Sequence, residues 1–526
     1  MSETATEQKA NHQRGERFLI NVLWSWTGVV ASLFQGIIIT RFLIQSLGAE
    51  HYGIWLLVFS ILNYFWYFDL GLNTAVCNFS ARFLAVRNYD KINELISTSV
   101  FYFSLIAVVV WSLSPFLAMN AHRFFHIRPE DQHEFATLIL LTGISWGLCI
   151  MLHLFLSALD GFQRFDLTSR IMVIQVALRS IGYYVALKTG HGLVLVTMAE
   201  VFVATQILGY VLNFFNFRRV FPQLHLSPSY VKLSMFQDIL RYGLKSFVAN
   251  GATLMLNQGG ALMVGHYLSQ SAVGFYLMPT KLLEQAIEAV SRIGMVTRSS
   301  AAELSVTARR EATISLGIYS NRYSLTLFMP LACYLLVYGR QLIFKWLGAE
   351  MADNGGPLLP IFILSYGLVL AAQFNSSSLL FGVNAHGGYA RGLVVEAIFY
   401  IAALVWAVPR YGIWGAAWVS AISMLLVRGI YTPWLVSRAL DYSFFSYMSG
   451  IYVRPLLVGV PVVALAKLLK QIVLPGNTLP ELILAGAICA AAYLLIAIFA
   501  CIAPNHRSLF FSRIPVIGAR FAAGRA

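Results

Sequence analysis

The sequence is poor in charge. Only 11% of its 526 residues are Asp, Glu, Lys or Arg, while 58% are hydrophobic. A soluble globular chain carries about 25% charged residues, so this one lacks the polar side chains needed to cover a water-facing surface. It is also poor in cysteine chemistry. The five cysteines (Cys77, Cys149, Cys333, Cys489 and Cys501) stand far apart, with no C-x-x-C and no metal-ligand spacing, and read as small apolar residues of buried helices. No G-x-x-x-x-G-K-[ST] loop is present, which argues against ATP as the direct energy source. The "HEF" at 133–135 has no second histidine of an H-E-x-x-H site. No catalytic residue, metal or cofactor is expected, and the chain does not read as an enzyme.

What is abundant is apolar length. Blocks such as "YFSLIAVVVWSLSPFLAM" and "LILAGAICAAAYLLIAIFACIA" reach the ~20 residues that one bilayer crossing requires. Residues 1–17 are polar, and the first apolar block, Phe18 to Ser46, is too long for the core of a cleavable signal. Apolar blocks bounded by loop residues predict an all-α polytopic membrane protein of about 14 transmembrane helices. The net charge of +14 then has a topological reading rather than a nucleic-acid one. Arg82, Arg87, Lys91, Arg164, Arg170, Arg218, Arg219, Arg241, Arg309, Arg310, Arg438 and the basic tail collect on one side. Arg123, Arg128, Lys188, Arg340, Lys345, Arg410, Lys467 and Lys470 are the sparser set opposite. The excess of positive charge assigns both termini to the cytoplasm.

An internal repeat organises the spans. "RFLINVLWSWTGVVASLFQGIIITRFLIQS" (17–46) aligns without a gap to "YGLKSFVANGATLMLNQGGALMVGHYLSQS" (242–271). "LDGFQRF" (159–165) falls opposite "VNAHGGY" (383–389), and "KTGHGL" (188–193) opposite "RYGIWG" (410–415), at nearly constant offset. Six spans separate the paired helices, so the halves run in the same direction, and a substrate path is expected between them. The predicted organisation is a cytoplasmic N-terminus (1–17), a six-helix bundle (18–217), a cytoplasmic linker (218–241), a second six-helix bundle (242–436), two additional helices (437–503) and a basic cytoplasmic tail (504–526). Within the linker, residues 226–241 read as a helix on the membrane surface.

Ionisable groups inside the apolar blocks are the candidate functional residues, because each costs about 2.5–3.5 kcal/mol at the bilayer centre on insertion scales. Lys281, Glu284, Glu288 and Arg292 recur at i+3 and i+4, on one helical face, and Arg298 follows. Arg41, Lys281, Arg292 and Arg298 are the candidates for a diphosphate, since a guanidinium fork bonds two phosphate oxygens at once. Asp69, Glu284, Glu288, His266 and Asn257 are cavity or coupling candidates. Arg170, Gln175, Arg179, Gln373, Asn375, Arg391 and Glu396 are further polar groups of the spans. Each has a plainer reading: the i+3 and i+4 pairs neutralise one another, Arg298 anchors a cytoplasmic end, and Arg41 snorkels outward. Asp69 in "NYFWYFDLGLN" caps amides freed where a long helix breaks at Gly71.

"RFLIQSLGAEHYGIWLLVFSILNYFWYFDLGLN", "ARFLAVRNYDKINELISTS" and "VPRYGIWGAAWVSAISMLL" together resemble polysaccharide flippases of the Wzx type. Those belong to the multidrug/oligosaccharidyl-lipid/polysaccharide exporter superfamily. The resemblance implies a bacterial inner-membrane, monomeric flippase. It would move an undecaprenyl-pyrophosphate-linked oligosaccharide from the cytoplasmic to the periplasmic leaflet, by alternating access of two bundles around a charged cavity. Membrane lipids and a polysaccharide polymerase are the implied partners, and nucleic acid is not. The competing reading is a cation- or proton-coupled drug antiporter of the same superfamily.

Overall fold

In lipid a backbone has no water to bond, so a spanning chain satisfies its amides within helices. The computed structural model of the protein describes Thr27 and residues 35–69, 71–125, 127–189, 194–306, 310–383, 385, 387–504 and 506–507. Among the described residues there is no strand. Among the described residues, fourteen α-helices of eight residues or more follow in order. They are α1 (Thr40–Asn63), α2 (Leu72–Ala85), α3 (Tyr89–Phe124), α4 (Gln132–Gly161), α5 (Phe165–Thr189), α6 (Val194–Val220) and α7 (Leu233–Tyr267). Then come α8 (Gln270–Val306), α9 (Arg310–Leu347), α10 (Ala372–Gly382), α11 (Gly387–Met424), α12 (Thr432–Ala439), α13 (Phe444–Ile472) and α14 (Leu479–Ala500).

Ten stretches among the described residues are long and apolar enough to cross a membrane. One, Gly387–Ala439, is 53 residues, about twice the length a bilayer needs. It is divided by Gly412, whose φ of +59 and ψ of −142 are not helical. The same device separates the first two apolar blocks. Within α1, Gly48 takes φ +73 and ψ 175, splitting it into 40–47 and 49–63. The tetrapeptide "LGAE" at 47–50 returns at 347–350, where Gly348 has φ +102 and ψ 176. A Cβ at Gly48 or Gly348 would meet nothing within 4 Å. Glycine is required there by the backbone conformation and not by crowding.

The chain divides into two compact units, residues 1–273 and 274–526. In the first, α4 lies against α3, α6 and α2, and α7 lies against α1, α2 and α3. In the second, α9 is the central helix and touches α10, α13 and α14, so the two additional helices are integral to that unit.

The segment between α6 and α7 differs from the expected surface helix over 226–241. Pro228 opens a short 3-10 turn, and α7 starts at Leu233 and runs unbroken to Tyr267. No proline follows Pro228 until Pro279, so nothing stops the helix where the apolar block begins. The segment before α7 is tied to α3 instead. Asn93 donates to the Gln223 carbonyl (3.0 Å) and accepts from the His225 amide (2.9 Å), and the Lys232 amide donates to Thr98 (3.1 Å).

Candidate functional site

The second unit holds ionised groups inside its helices. On α8, Lys281 and Glu284 stand one turn apart and pair at 2.8 Å, each about 40% exposed. The expected i+3 neutralisation is therefore formed. The side chains of Glu288, Arg292 and Arg298, further along α8, lie outside the described residues. Tyr366, in the π-helical segment before α10, is within electrostatic reach of both Glu284 and Arg428.

Arg428 is the residue that sequence reasoning missed. It lies in a π-helical turn (Leu425–Tyr431) after α11, and its guanidinium faces Glu396 of α11 at 3.7 Å. The Glu396 side chain is 1% exposed and that of Arg428 12%. Ser423 donates to Glu396 Oε1 at 3.2 Å, while Glu396 Oε2 and Arg428 Nε face each other without a hydrogen bond. An ion pair with this little water is held by mutual attraction, and removing one member leaves a buried charge alone. Close to it in the helix order, Ser420 Oγ meets the hydroxyls of Tyr276 (2.8 Å) and Tyr400 (3.1 Å).

Gln373 and Asn375, expected to line a hydrated path, are instead consumed by packing. Both are buried. Asn375 donates to Ser324 (2.7 Å) and its amide to Asn321 (3.0 Å); Asn321 in turn donates to Ser376 (2.8 Å) and Tyr447 (3.0 Å). This amide and hydroxyl net joins α9, α10 and α13. A fully satisfied polar net of this kind specifies helix register.

In the first unit, "NYFWYFDLGLN" resolves into a helix break. Tyr64–Asp69 form a 3-10 turn, Gly71 is left-handed (φ +75), and α2 begins at Leu72. Asp69 accepts from the Asn73 amide at 3.1 Å and from the Asn73 side chain at 2.7 Å. Ser157 of α4 donates to Asn73 at 3.0 Å, extending the chain of bonds across to the next helix. The capping role weighed for Asp69 is thus visible in its contacts. Arg41 is half-buried on α1 and Asn257 is exposed on α7; neither has a hydrogen-bond or ion-pair partner among the described residues. His266 Nδ1 contacts the Phe124 carbonyl. It closes one edge of an apolar cavity of about 660 Å³ that Tyr64, Phe65, Leu113, Phe116 and Leu262 also line.

Arg179 of α5 is an intramembrane cation with neutral partners. It donates to Gln206 (2.6 Å) and Thr205 (3.2 Å) of α6 and sits 4.7 Å over the Phe202 ring. Gln175 donates to the Thr205 carbonyl at 3.1 Å. These two, read as polar groups of a path, knit α5 to α6.

Ten membrane-length apolar stretches among the described residues define a multi-pass membrane protein, and it carries a buried Glu396–Arg428 pair among its helices. The family model described as "Polysaccharide biosynthesis protein" matches residues 18–297, more than half of the sequence, and the chain belongs to that family. Two curated relatives extend the match. An "Uncharacterized membrane protein EpsK" of Bacillus subtilis is 24% identical over 512 residues, covering 94% of this chain and 98% of its own. A "Putative O-antigen transporter" of Shigella flexneri is 19% identical over 428 residues, covering 80% and 97%. Among solved structures, "Lipid II flippase MurJ, inward closed conformation" superposes with TM-score 0.70 at 13% identity over 91% of this chain and 98% of that one. An inward-facing multidrug resistance MATE family transporter of the MOP superfamily gives TM-score 0.65 at 13% identity, over 79% and 95%. At that identity the structural likeness is one of fold, an all-helical transporter architecture. The earlier expectation of an all-α polytopic membrane protein holds for the described residues, and the family match agrees with the resemblance to polysaccharide flippases.

Proposed function

We propose that this protein is a flippase for a polyprenyl-diphosphate-linked oligosaccharide, carrying it from the cytoplasmic to the periplasmic leaflet of a bacterial inner membrane. The observation that carries the reading is the family match over residues 18–297. It is supported by relatives named for O-antigen transport and lipid II flipping. The chemistry agrees with it. The diphosphate head group requires cations inside the membrane, and α8 supplies Lys281, Arg292 and Arg298 along its length. Glu284 holds Lys281 in place until a phosphate competes for it. Arg41, without a carboxylate partner among the described residues, is a further cation for the head group. Transport proceeds by alternating exposure of this charged path to the two sides, with the polyprenyl chain left in lipid. Glu396 and Arg428 are the pair whose protonation or cation exchange would couple transport to an ion gradient. Both termini are cytoplasmic in this reading.

The test is reconstitution in liposomes with a fluorescent polyprenyl-diphosphate oligosaccharide, its leaflet position read by a membrane-impermeant quencher. Protein-dependent movement supports the reading. Movement of small organic cations under an ion gradient, without lipid translocation, would replace it by the drug antiporter.

A further inference from the structure

We propose that His51, Asp131 and Glu134 form a binding site for one zinc-class divalent cation at the end of the first unit. One ligand atom from each side chain lies within 4.8 Å of the other two. They come from different places in the chain. His51 is in the second part of α1 beyond the Gly48 break, Asp131 ends the short 3-10 turn Pro129–Asp131, and Glu134 is in the first turn of α4. Asp131 and Glu134 are each only 7% exposed, whereas the His51 side chain is 36% exposed and leaves a way in from solvent.

Carboxylates outnumber basic groups in this corner. Arg128 donates to Asp131 Oδ2 at 3.2 Å, and also pairs with Glu50 (2.7 Å) and Glu130 (3.1 Å). Its charge is thus divided among three carboxylates, and Glu134 adds a fourth to the corner. Asp131 Oδ1 faces His51 Nε2 at 3.6 Å, within ion-pair but beyond hydrogen-bond distance, while Oδ2 takes the Arg128 bond, so Oδ1 of a side chain nine-tenths buried is turned to the histidine. Asp131 also stands at the N-cap of α4, where aspartate ordinarily accepts from the first amides, yet its side chain makes no such bond. Its carboxylate is turned to the cluster instead. Glu134 accepts from the Leu195 amide at the start of α6, which fixes its orientation.

The donor set decides the class of ion. An imidazole nitrogen with two carboxylate oxygens suits zinc and its neighbours better than calcium or magnesium, which take oxygen alone. Zinc bonds of about 2.0–2.2 Å hold ligand atoms somewhat closer together than they stand here, so the three side chains close by a fraction of an ångström each. Three protein ligands leave water in the remaining position. The bound ion would join the second part of α1 to the entry of α4, and through Glu134 to the start of α6. That braces the turns between three pairs of spans at one membrane face.

The full-length protein, purified in nanodiscs and stripped with a chelator, is titrated with zinc chloride and followed by isothermal titration calorimetry and thermal unfolding. Cobalt absorption serves as the spectroscopic reporter. The expected result is one saturable equivalent, a higher unfolding temperature with the ion, and a cobalt d–d spectrum. Removal of outer-shell partners of metal sites costs 10–100-fold in affinity, so loss of a ligand should cost at least tenfold. His51→Gln and Glu134→Gln should each show that loss while keeping the metal-free unfolding temperature. Absence of a saturable equivalent in the wild type, or equal affinity in both variants, overturns the proposal. A stabilisation that depends on pH and on His51 but not on zinc also overturns it, and would make the cluster a proton bridge.

Discussion

Asn73 donates both its backbone amide and its side-chain amide to a single oxygen of Asp69, Oδ1, at 3.1 and 2.7 Å. A carboxylate within an apolar span is thereby fixed at the start of a helix, where the amide dipoles and the free first-turn donors favour negative charge.

This contact separates shaping from transport. Asp69→Ala removes the acceptor and should lower stability by about 0.5–2 kcal/mol, the usual cost of a lost cap. Asp69→Asn keeps an acceptor oxygen and should leave the unfolding temperature near that of the wild type. Thermal unfolding of both variants in detergent checks the difference. If Asp69→Asn folds but fails to transport, the charge itself is used.

The Glu396–Arg428 pair makes a sharper stability prediction. Glu396→Gln leaves a guanidinium buried without its counter-charge and should cost about 3–5 kcal/mol. Replacing both residues, as in Glu396→Gln with Arg428→Met, should recover most of that loss. A double-mutant cycle by thermal unfolding measures the coupling. Additive losses would mean that the 3.7 Å contact carries no interaction.

Lys281 and Glu284 should behave in the opposite way. Each is about 40% exposed, and such pairs contribute ~0.2–1 kcal/mol. Lys281→Ala should therefore fold normally, with unchanged size-exclusion profile and unfolding temperature, while slowing translocation of a diphosphate-linked lipid.

Gly48 tests a purely conformational requirement. Its φ of +73 with ψ of 175 is a backbone state open essentially to glycine, while a Cβ would touch nothing. Gly48→Ala should cost on the order of 1–3 kcal/mol through strain alone. The equivalent change at Gly387, where a Cβ also meets nothing and no positive φ is recorded, should cost little. Paired unfolding measurements decide between strain and packing.

The sequence made the class legible because lipid imposes one solution on the backbone, and apolar length reports it directly. The break at Gly71 and the capping alternative for Asp69 were readable for the same reason, since both depend on neighbours in the chain. Partners distant in the chain were not readable. Arg428 meets Glu396 across a helix turn-back, and the periodicity of either helix says nothing of it. Gln373 and Asn375 look like cavity residues in one dimension, but Asn321, Ser324 and Tyr452 absorb their hydrogen bonds. His51 and the 131–134 turn are some eighty positions apart, so no spacing motif announces their meeting. The helix expected over 226–241 begins only at Leu233, because Asn93 and Thr98 near the start of α3 bond the backbone of the segment before it.

The most direct test of the account is translocation of a fluorescent polyprenyl-diphosphate oligosaccharide by the purified protein in liposomes, compared with Lys281→Ala and Arg298→Ala. The account predicts protein-dependent loss of outer- or inner-leaflet asymmetry that both variants slow at equal protein content. Translocation that the variants leave untouched would contradict a basic head-group path on α8, and no translocation of the lipid under any ion gradient would contradict the flippase itself.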